Sequence, residues 1–268
     1  MDFLTSISDG LYAAINGLTG RSWLFDTLVA LPMENPLVKA GPVAACFAFA
    51  WFAAGDEAKV RQRRNVLLVT LLSLLAIVAV TRSLSNSIFI PRPFIQSQTL
   101  FELEDGALVE APRRAHRVPL EGEYRDRHAA LARGDVVPND LGSFPSDHAG
   151  FYFALALGIF LASRAAGAVA IAWTLFVILF SRIATGMHSP LDIAAGAAIG
   201  AGILLPLQFA FRRWGERLVA PFSGWSLRYP GLAGALLFLI LFEAASTLEN
   251  ARHAAGTLKD AAVRIAGA

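Results

Sequence analysis

The apolar positions of this chain fall in long unbroken runs, at about 40–54, 65–81, 149–163, 165–181, 193–211 and 229–242, with polar clusters between them. Several runs reach the roughly 20 residues that a bilayer-spanning helix needs once their flanks are counted. Lipid cannot hydrogen-bond the backbone, so a spanning segment must satisfy its own amides. Runs without period-two alternation do so as helices rather than as barrel strands. The pattern predicts an all-α integral membrane protein, a six-transmembrane-helix bundle. Residues 1–36 read as one or two N-terminal interfacial helices, with Phe3, Leu4, Leu11, Tyr12, Ile15, Leu18, Trp23, Leu24 and Phe25 on the apolar side; an ordinary docking helix would show the same side. Pro32 and Pro36 separate this segment from the first span. The transmembrane domain is expected over 37–247 and a C-terminal extracytoplasmic tail over 248–268. Within the domain, the long extracytoplasmic loop 94–143 carries Pro, Gly and charge, which predicts irregular structure with one short helix near 123–133. The Ala and Gly residues at 193–202 suit close helix packing.

Composition agrees with the pattern: 55% of residues are hydrophobic and 16% charged, a membrane-protein balance. A net charge of +2 speaks against a nucleic-acid partner. Cys46 is the only cysteine, which excludes an intramolecular disulfide and a thiolate metal site. The first residues hold Asp2 and no early basic cluster, unlike a cleavable signal peptide, so the N-terminus is expected in the mature protein.

Charge placement predicts the orientation. Lys59, Arg61, Arg63 and Arg64 crowd the short connection between the first two runs, Arg164 sits between the third and fourth, and Arg212, Arg213 and Arg217 follow the fifth. These alternate connections are expected to be cytoplasmic. Residues 82–147, the turn at 182–192 and both termini then face the periplasm or exterior. Arg113, Arg114, Arg117, Arg125, Arg127 and Arg133 lie in the long loop among many acids, where charge has little control over topology.

On that topology, three polar clusters meet on one side: Pro91-Arg92-Pro93, Pro145-Ser146-Asp147-His148, and Ser181-Arg182 with His188 and Asp192. Arginine at the bilayer centre costs roughly 2.5 to 3.5 kcal/mol, so Arg82, Arg92 and Arg182 are expected at the interface or in a wet cavity, where each either binds phosphate or merely snorkels. Ser146 is placed to cap a helix whose first-turn amides form an anion site. His148, at the mouth of an apolar helix, is a candidate general acid. Gly186 and Pro190 predict a turn and a new helix capped by Ser189. Asp192 is either the partner of Ser189 in a capping box or the acceptor that fixes the His188 tautomer for nucleophilic attack. No metal or other cofactor is expected, because the 5 histidines stand at no metal-binding spacing.

These residues resemble the type 2 phosphatidic acid phosphatase superfamily, whose pattern is Lys-x6-Arg-Pro, then Pro-Ser-x-His, then Ser-Arg-x5-His-x3-Asp. Pro145, Ser146 and His148 fill the second block; Ser181, Arg182, His188 and Asp192 fill the third. Arg92-Pro93 fits the first, but Ser85 stands where the lysine belongs. Either Arg82 supplies the missing cation, or the site works with one fewer. The resemblance implies hydrolysis of a membrane lipid phosphate without metal, in two steps. His188 is the nucleophile that forms a phosphohistidine, His148 the acid and later the base, and Asp192 orients His188. Arg92, Arg182, Ser146 and Ser181 are the phosphate ligands. Ala14-Ile15-Asn16-Gly17, Gly20-Arg21 and Asp147 are closer to the branch acting on undecaprenyl pyrophosphate, although loop 94–143 is longer than that branch implies. Lipid A, phosphatidylglycerophosphate and phosphatidic acid remain alternative substrates. A lipid phosphotransferase, a transporter and a silent membrane scaffold are the other readings.

Overall fold

The computed structural model describes residues 2–104, 107–135 and 141–245; the expected tail 248–268 lies outside the described residues. Helices α1 (Asp2–Asn16) and α2 (Trp23–Glu34) precede the bundle, and Asn35 ends one helix and starts the next. Its side-chain oxygen accepts from Leu37 N and Val38 N at 2.9 and 3.2 Å, and Pro36 occupies the first helical position, where a missing N–H is harmless. Helix α3 (Pro36–Phe52) leads to α4 (Glu57–Ser87), which Asp56 caps through Lys59 N at 2.9 Å. A short hairpin, β1 (Phe101–Glu104) and β2 (Ala107–Glu110), and helix α5 (Glu123–Ala132) lie in the long loop. Helix α6 (Asp147–Ala162) is followed by α7 (Arg164–Trp173), which passes through a π-helical stretch, Thr174–Leu179, into α8 (Phe180–Ala184). Helix α9 (Pro190–Ala210) continues through Phe211–Gly215 to α10 (Glu216–Arg228) and α11 (Pro230–Ala245).

Every long apolar run of the sequence is helical, but the runs differ in length. Among the described residues, Glu57–Ser87, Arg164–Ala184 and Pro190–Arg213 are long and apolar enough to cross a membrane alone. Pro221–Arg228 with Pro230–Phe242 makes a fourth crossing if a pair bent by 115° counts as one. Pro36–Phe52 and Asp147–Ala162 are apolar but have 17 and 16 residues, about 25 Å each against a hydrocarbon core of about 30 Å. Six full crossings were expected; three or four meet the criterion.

The core forms where α4, α6 and α9 meet, around Ile77, Phe151, Tyr152, Leu155, Ile159 and Leu204. Helices α6 and α9 approach closely because their contact faces lack side chains. A Cβ at Gly196 would lie 2.2 Å from Ser146 O, and one at Gly200 would lie 2.4 Å from Gly150 O. Small residues let backbones touch, as close packing in lipid requires. Large side chains such as Phe49, Phe176, Phe209 and Phe238 point outward from the bundle.

The long loop is a built structure. Its helix α5 falls where one was expected; the β1–β2 hairpin was not foreseen. Asn16 Nδ2 donates to Arg117 O at 3.0 Å and its Oδ1 accepts from Arg117 N at 2.7 Å. Asp26 accepts from Leu120 N, Glu121 from Trp23 Nε1, and Glu34 from Glu123 N, each at 2.9 Å. The loop is thus stitched along α1 and α2, and together they form a cap. Phe3, Leu4, Leu11, Trp23 and Leu24 of the expected apolar side are exposed, whereas Tyr12 is buried and hydrogen-bonds His116 Nδ1 at 2.7 Å.

Candidate active site

The polar residues converge at the Ser87 end of α4, away from the basic connection that starts it. The 31 residues of α4 separate these two regions by about 46 Å. An antiparallel bridge between Pro91 and Gly142 brings the first two clusters together, with Arg92 N donating to Leu141 O at 3.0 Å and Ser143 N to Ile90 O at 2.8 Å. Ser146 N donates to Asp192 O at 3.1 Å, which joins the start of α6 to the start of α9.

His188 sits in the turn between α8 and α9. Gly186 turns the chain at φ 74°, and Met187 N and His188 N both donate to Arg182 O, at 3.0 and 3.1 Å. Only glycine fits at 186: beyond the left-handed backbone, a Cβ would lie 2.5 Å from His116 Cε1 of the cap. The cap holds this turn from above, with Phe94 N donating to Gly186 O, and Asn16 Nδ2 and Thr19 Oγ1 both donating to Ala184 O. His188 is 3% exposed, and its Nδ1 lies 2.8 Å from Ser143 O. A carbonyl can only accept, so Nδ1 carries the proton and Nε2 holds the lone pair. Burial, with help from Arg92 and Arg182, holds the ring well below the usual histidine range and so keeps it neutral. A neutral imidazole of fixed tautomer is a competent nucleophile.

The partner found for His188 differs from the one expected. Asp192 accepts from Ser189 N at 2.6 Å while Asp192 N donates to Ser189 Oγ at 3.2 Å, a complete capping box. Ser143 Oγ donates its proton to Ile90 O at 3.1 Å, and the Asp192 carboxylate lies within its electrostatic reach. Asp192 is therefore engaged with Ser189, and the Ser143 carbonyl makes the contact to His188. The direct carboxylate belongs instead to His148, whose Nδ1 lies 2.7 Å from Asp147 Oδ1. The sequence reading used Asp147 only as a mark of subfamily. Adjacent residues seldom suggest a side-chain pair, but at the first turn of α6 the two are bent together, and His148 N donates to the same oxygen at 2.7 Å.

Arg182 is buried, and among the described residues its guanidinium makes no hydrogen bond; Nε is enclosed without a partner. Asp147, Tyr124 and Tyr152 lie within its electrostatic reach. Arg92 Nη1 donates to Met187 O at 3.3 Å, which lays that guanidinium against the His188 turn. Ser146 Oγ accepts from Ala149 N at 3.3 Å, which leaves its proton for a ligand.

Of the expected phosphate ligands, one has its proton engaged within its own helix and another faces outward. Ser181 Oγ donates its only proton to Val177 O at 2.6 Å, one turn back on its own helix, and so has none for a phosphate. Arg82 is exposed on the outer face of α4, where helical periodicity turns it away from the cluster. Lys39, from α3, lies instead within electrostatic reach of His148. Tyr124, from α5, lies within reach of both Arg182 and Arg92. Neither was foreseen, since each reaches the site from an element distant in sequence.

Comparison with known proteins follows the same residues. The sequence model of the PAP2 superfamily matches residues 66–215. A stretch of 62 residues is 44% identical to the bacitracin transport permease protein BcrC of Bacillus licheniformis, covering 22% of this chain and 28% of that protein's length. No solved structure matches the chain.

Proposed function

The chain belongs to the PAP2 superfamily, and from that premise we propose that it is a membrane phosphatase that hydrolyses a lipid phosphate or pyrophosphate at the extracytoplasmic face, with His188 as nucleophile. The observation that carries this reading is the Arg182 guanidinium, buried beside His188 without a hydrogen-bonding partner among the described residues. A buried cation in that state is costly unless an anion meets it, and a phosphoryl group suits its planar fork.

In the proposed reaction His188 Nε2 attacks phosphorus. The N–P bond forms as the bond to the leaving oxygen breaks, and His148 Nε2 passes its proton to that oxygen. A carboxylate at Nδ1 stabilises the imidazolium that does so. His148, now neutral, takes a proton from water; the hydroxide attacks phosphorus, the N–P bond breaks, and inorganic phosphate leaves. Arg92, Arg182, Ser146 and the first-turn amides of α6 hold the equatorial oxygens throughout. Ser143 O fixes the nucleophile, and Asp192 holds Ser189, the residue that follows it.

Ala14-Ile15-Asn16-Gly17, Gly20-Arg21 and Asp147 favour undecaprenyl pyrophosphate among the lipid substrates, and the short match to a bacitracin transport permease makes transport the second reading. Phosphate release is to be measured across undecaprenyl pyrophosphate, undecaprenyl phosphate, phosphatidic acid, phosphatidylglycerophosphate and lipid A, with and without acceptor lipids and chelator. We expect turnover that chelator does not reduce and that His188→Ala abolishes in a protein still inserted in the membrane. Undiminished turnover by His188→Ala overturns the nucleophile. A wild-type protein that releases no phosphate but moves bacitracin across a vesicle membrane supports transport instead.

A further inference from the structure

We propose that Tyr124, on cap helix α5, is a specificity-determining residue that donates its hydroxyl hydrogen to a non-reacting oxygen of the phosphate held by Arg92 and Arg182. The inference rests on the phosphatase reading and adds a ligand from outside the family's motif blocks. Its ring packs against Phe94, Ile95 and Met187. Met187 precedes the nucleophile, and its carbonyl accepts from Arg92 Nη1 at 3.3 Å, so the cluster that holds the ring adjoins the nucleophile's turn.

The packing accounts for the ring and leaves the hydroxyl unexplained. Phenylalanine would fill the same apolar contact. Among the described residues no hydrogen bond engages the Tyr124 hydroxyl, although it lies within electrostatic reach of Arg182 and Arg92. Neither guanidinium can accept a hydrogen bond, so neither supplies the acceptor that the hydroxyl lacks. A phosphoryl oxygen answers that need. Burial raises the phenol above its usual range, so it stays protonated at neutral pH and keeps the hydrogen it must give. Arg127 lies over the ring, 5.4 Å from its centre, which holds the side chain in place from the solvent side.

The position of α5 is set rather than loose. Glu34, at the end of α2, accepts from Glu123 N at 2.9 Å, and Arg125 Nη1 donates to Leu120 O at the same end of the helix. Tyr124 is thereby presented from the cap, while Arg182 and His188 approach from the bundle. Capture of a phosphate would tie the cap to the bundle through one ligand.

Tyr124→Phe, which keeps the ring, is the test, with inorganic phosphate as a competing ligand. Loss of one hydrogen bond to a charged group predicts a rise of about tenfold in KM and the same rise in the inhibition constant of inorganic phosphate, with kcat within about threefold of wild type. The shared shift in inorganic phosphate separates a contact to the phosphoryl group from one to the rest of the lipid, and thermal unfolding at the wild-type temperature confirms intact packing. Wild-type turnover with unchanged KM and phosphate inhibition in Tyr124→Phe overturns the inference and leaves the phosphatase reading standing. A rise in KM without one in phosphate inhibition also overturns it, and absence of wild-type phosphate release on every lipid fails the underlying reading itself.

Discussion

At the scale of single residues, the carboxylate bonded to a histidine of the site is Asp147, whereas spacing assigns that part to Asp192. Asp192 is four residues after His188, which is compatible with a direct contact, but its carboxylate is engaged by Ser189 N in the capping box. Asp147 is adjacent to His148 and bonds it. The two assignments predict different outcomes for isosteric replacement. Asn keeps an oxygen for the capping box, so Asp192→Asn should lose less than about tenfold in kcat. Asp147→Asn removes the charge that supports the imidazolium and should lose about 100-fold or more, the usual scale of general-acid assistance. Steady-state kinetics on the same lipid checks both; the reverse order would restore Asp192 as the direct partner of His188. The identities of His188, His148, Arg92, Arg182 and Ser146 were legible because a helix end confines its polar residues to a few neighbouring positions. Their hydrogen-bond partners were not, because Ser143 lies 45 residues from His188 and nothing in either segment names the other.

At the scale of elements, the cap is the part of the protein that the hydrophobic pattern describes least. Polar and irregular in sequence, it is ordered by side-chain bonds to α1 and α2 and by a cluster in which His116 and His128 stack at 5.7 Å beneath Tyr12. Burial, and then the neighbouring His128, lower the His116 pKa from 6.5 to about 4; burial lowers His128 as well. The folded cap therefore favours the neutral rings. Above pH 6.5 both states are neutral and the stability is fully present. As the pH falls from 6.5 toward 4 the unfolded chain takes up protons first, and stability is lost through that window. Hydrogen exchange of 112–118 and of α1 should accelerate across it. In His116→Gln, which does not titrate, the acceleration should be smaller; an equal acceleration would assign it to the carboxylates instead. Helix α5 shows the same division: its presence near 123–133 was readable from composition, while its seat against Glu34 and over the arginines was not.

For the whole molecule, orientation rests on charge, and the structure refines which charges count. Arg64 is buried, lies over the Trp51 ring at 5.1 Å and donates to Ser226 Oγ at 3.0 Å, so it serves packing as well as topology. Lys59 is exposed and Arg61 half-buried, in short-range pairs with Asp56 and Glu57, and the rule's force rests on them and on Arg212 and Arg213. A cysteine at Leu108, 74% exposed on the hairpin, in a Cys46→Ser background, should be labelled from outside intact cells by an impermeant reagent. Protection at 108 with labelling at position 59 would invert the protein and move the proposed reaction to the cytoplasmic face. The sequence by itself determined that the apolar runs are helices, since unbroken hydrophobicity in lipid leaves the backbone no other partner. It also determined which reactive residues stand at the helix ends, since those spacings lie within one or two turns. Tertiary structure alone decided the rest: the Ser143 carbonyl on His188 and the arrival of Tyr124 from the cap. Each depends on contacts between distant segments, which the packing of glycine faces and the stitching of the cap bring together.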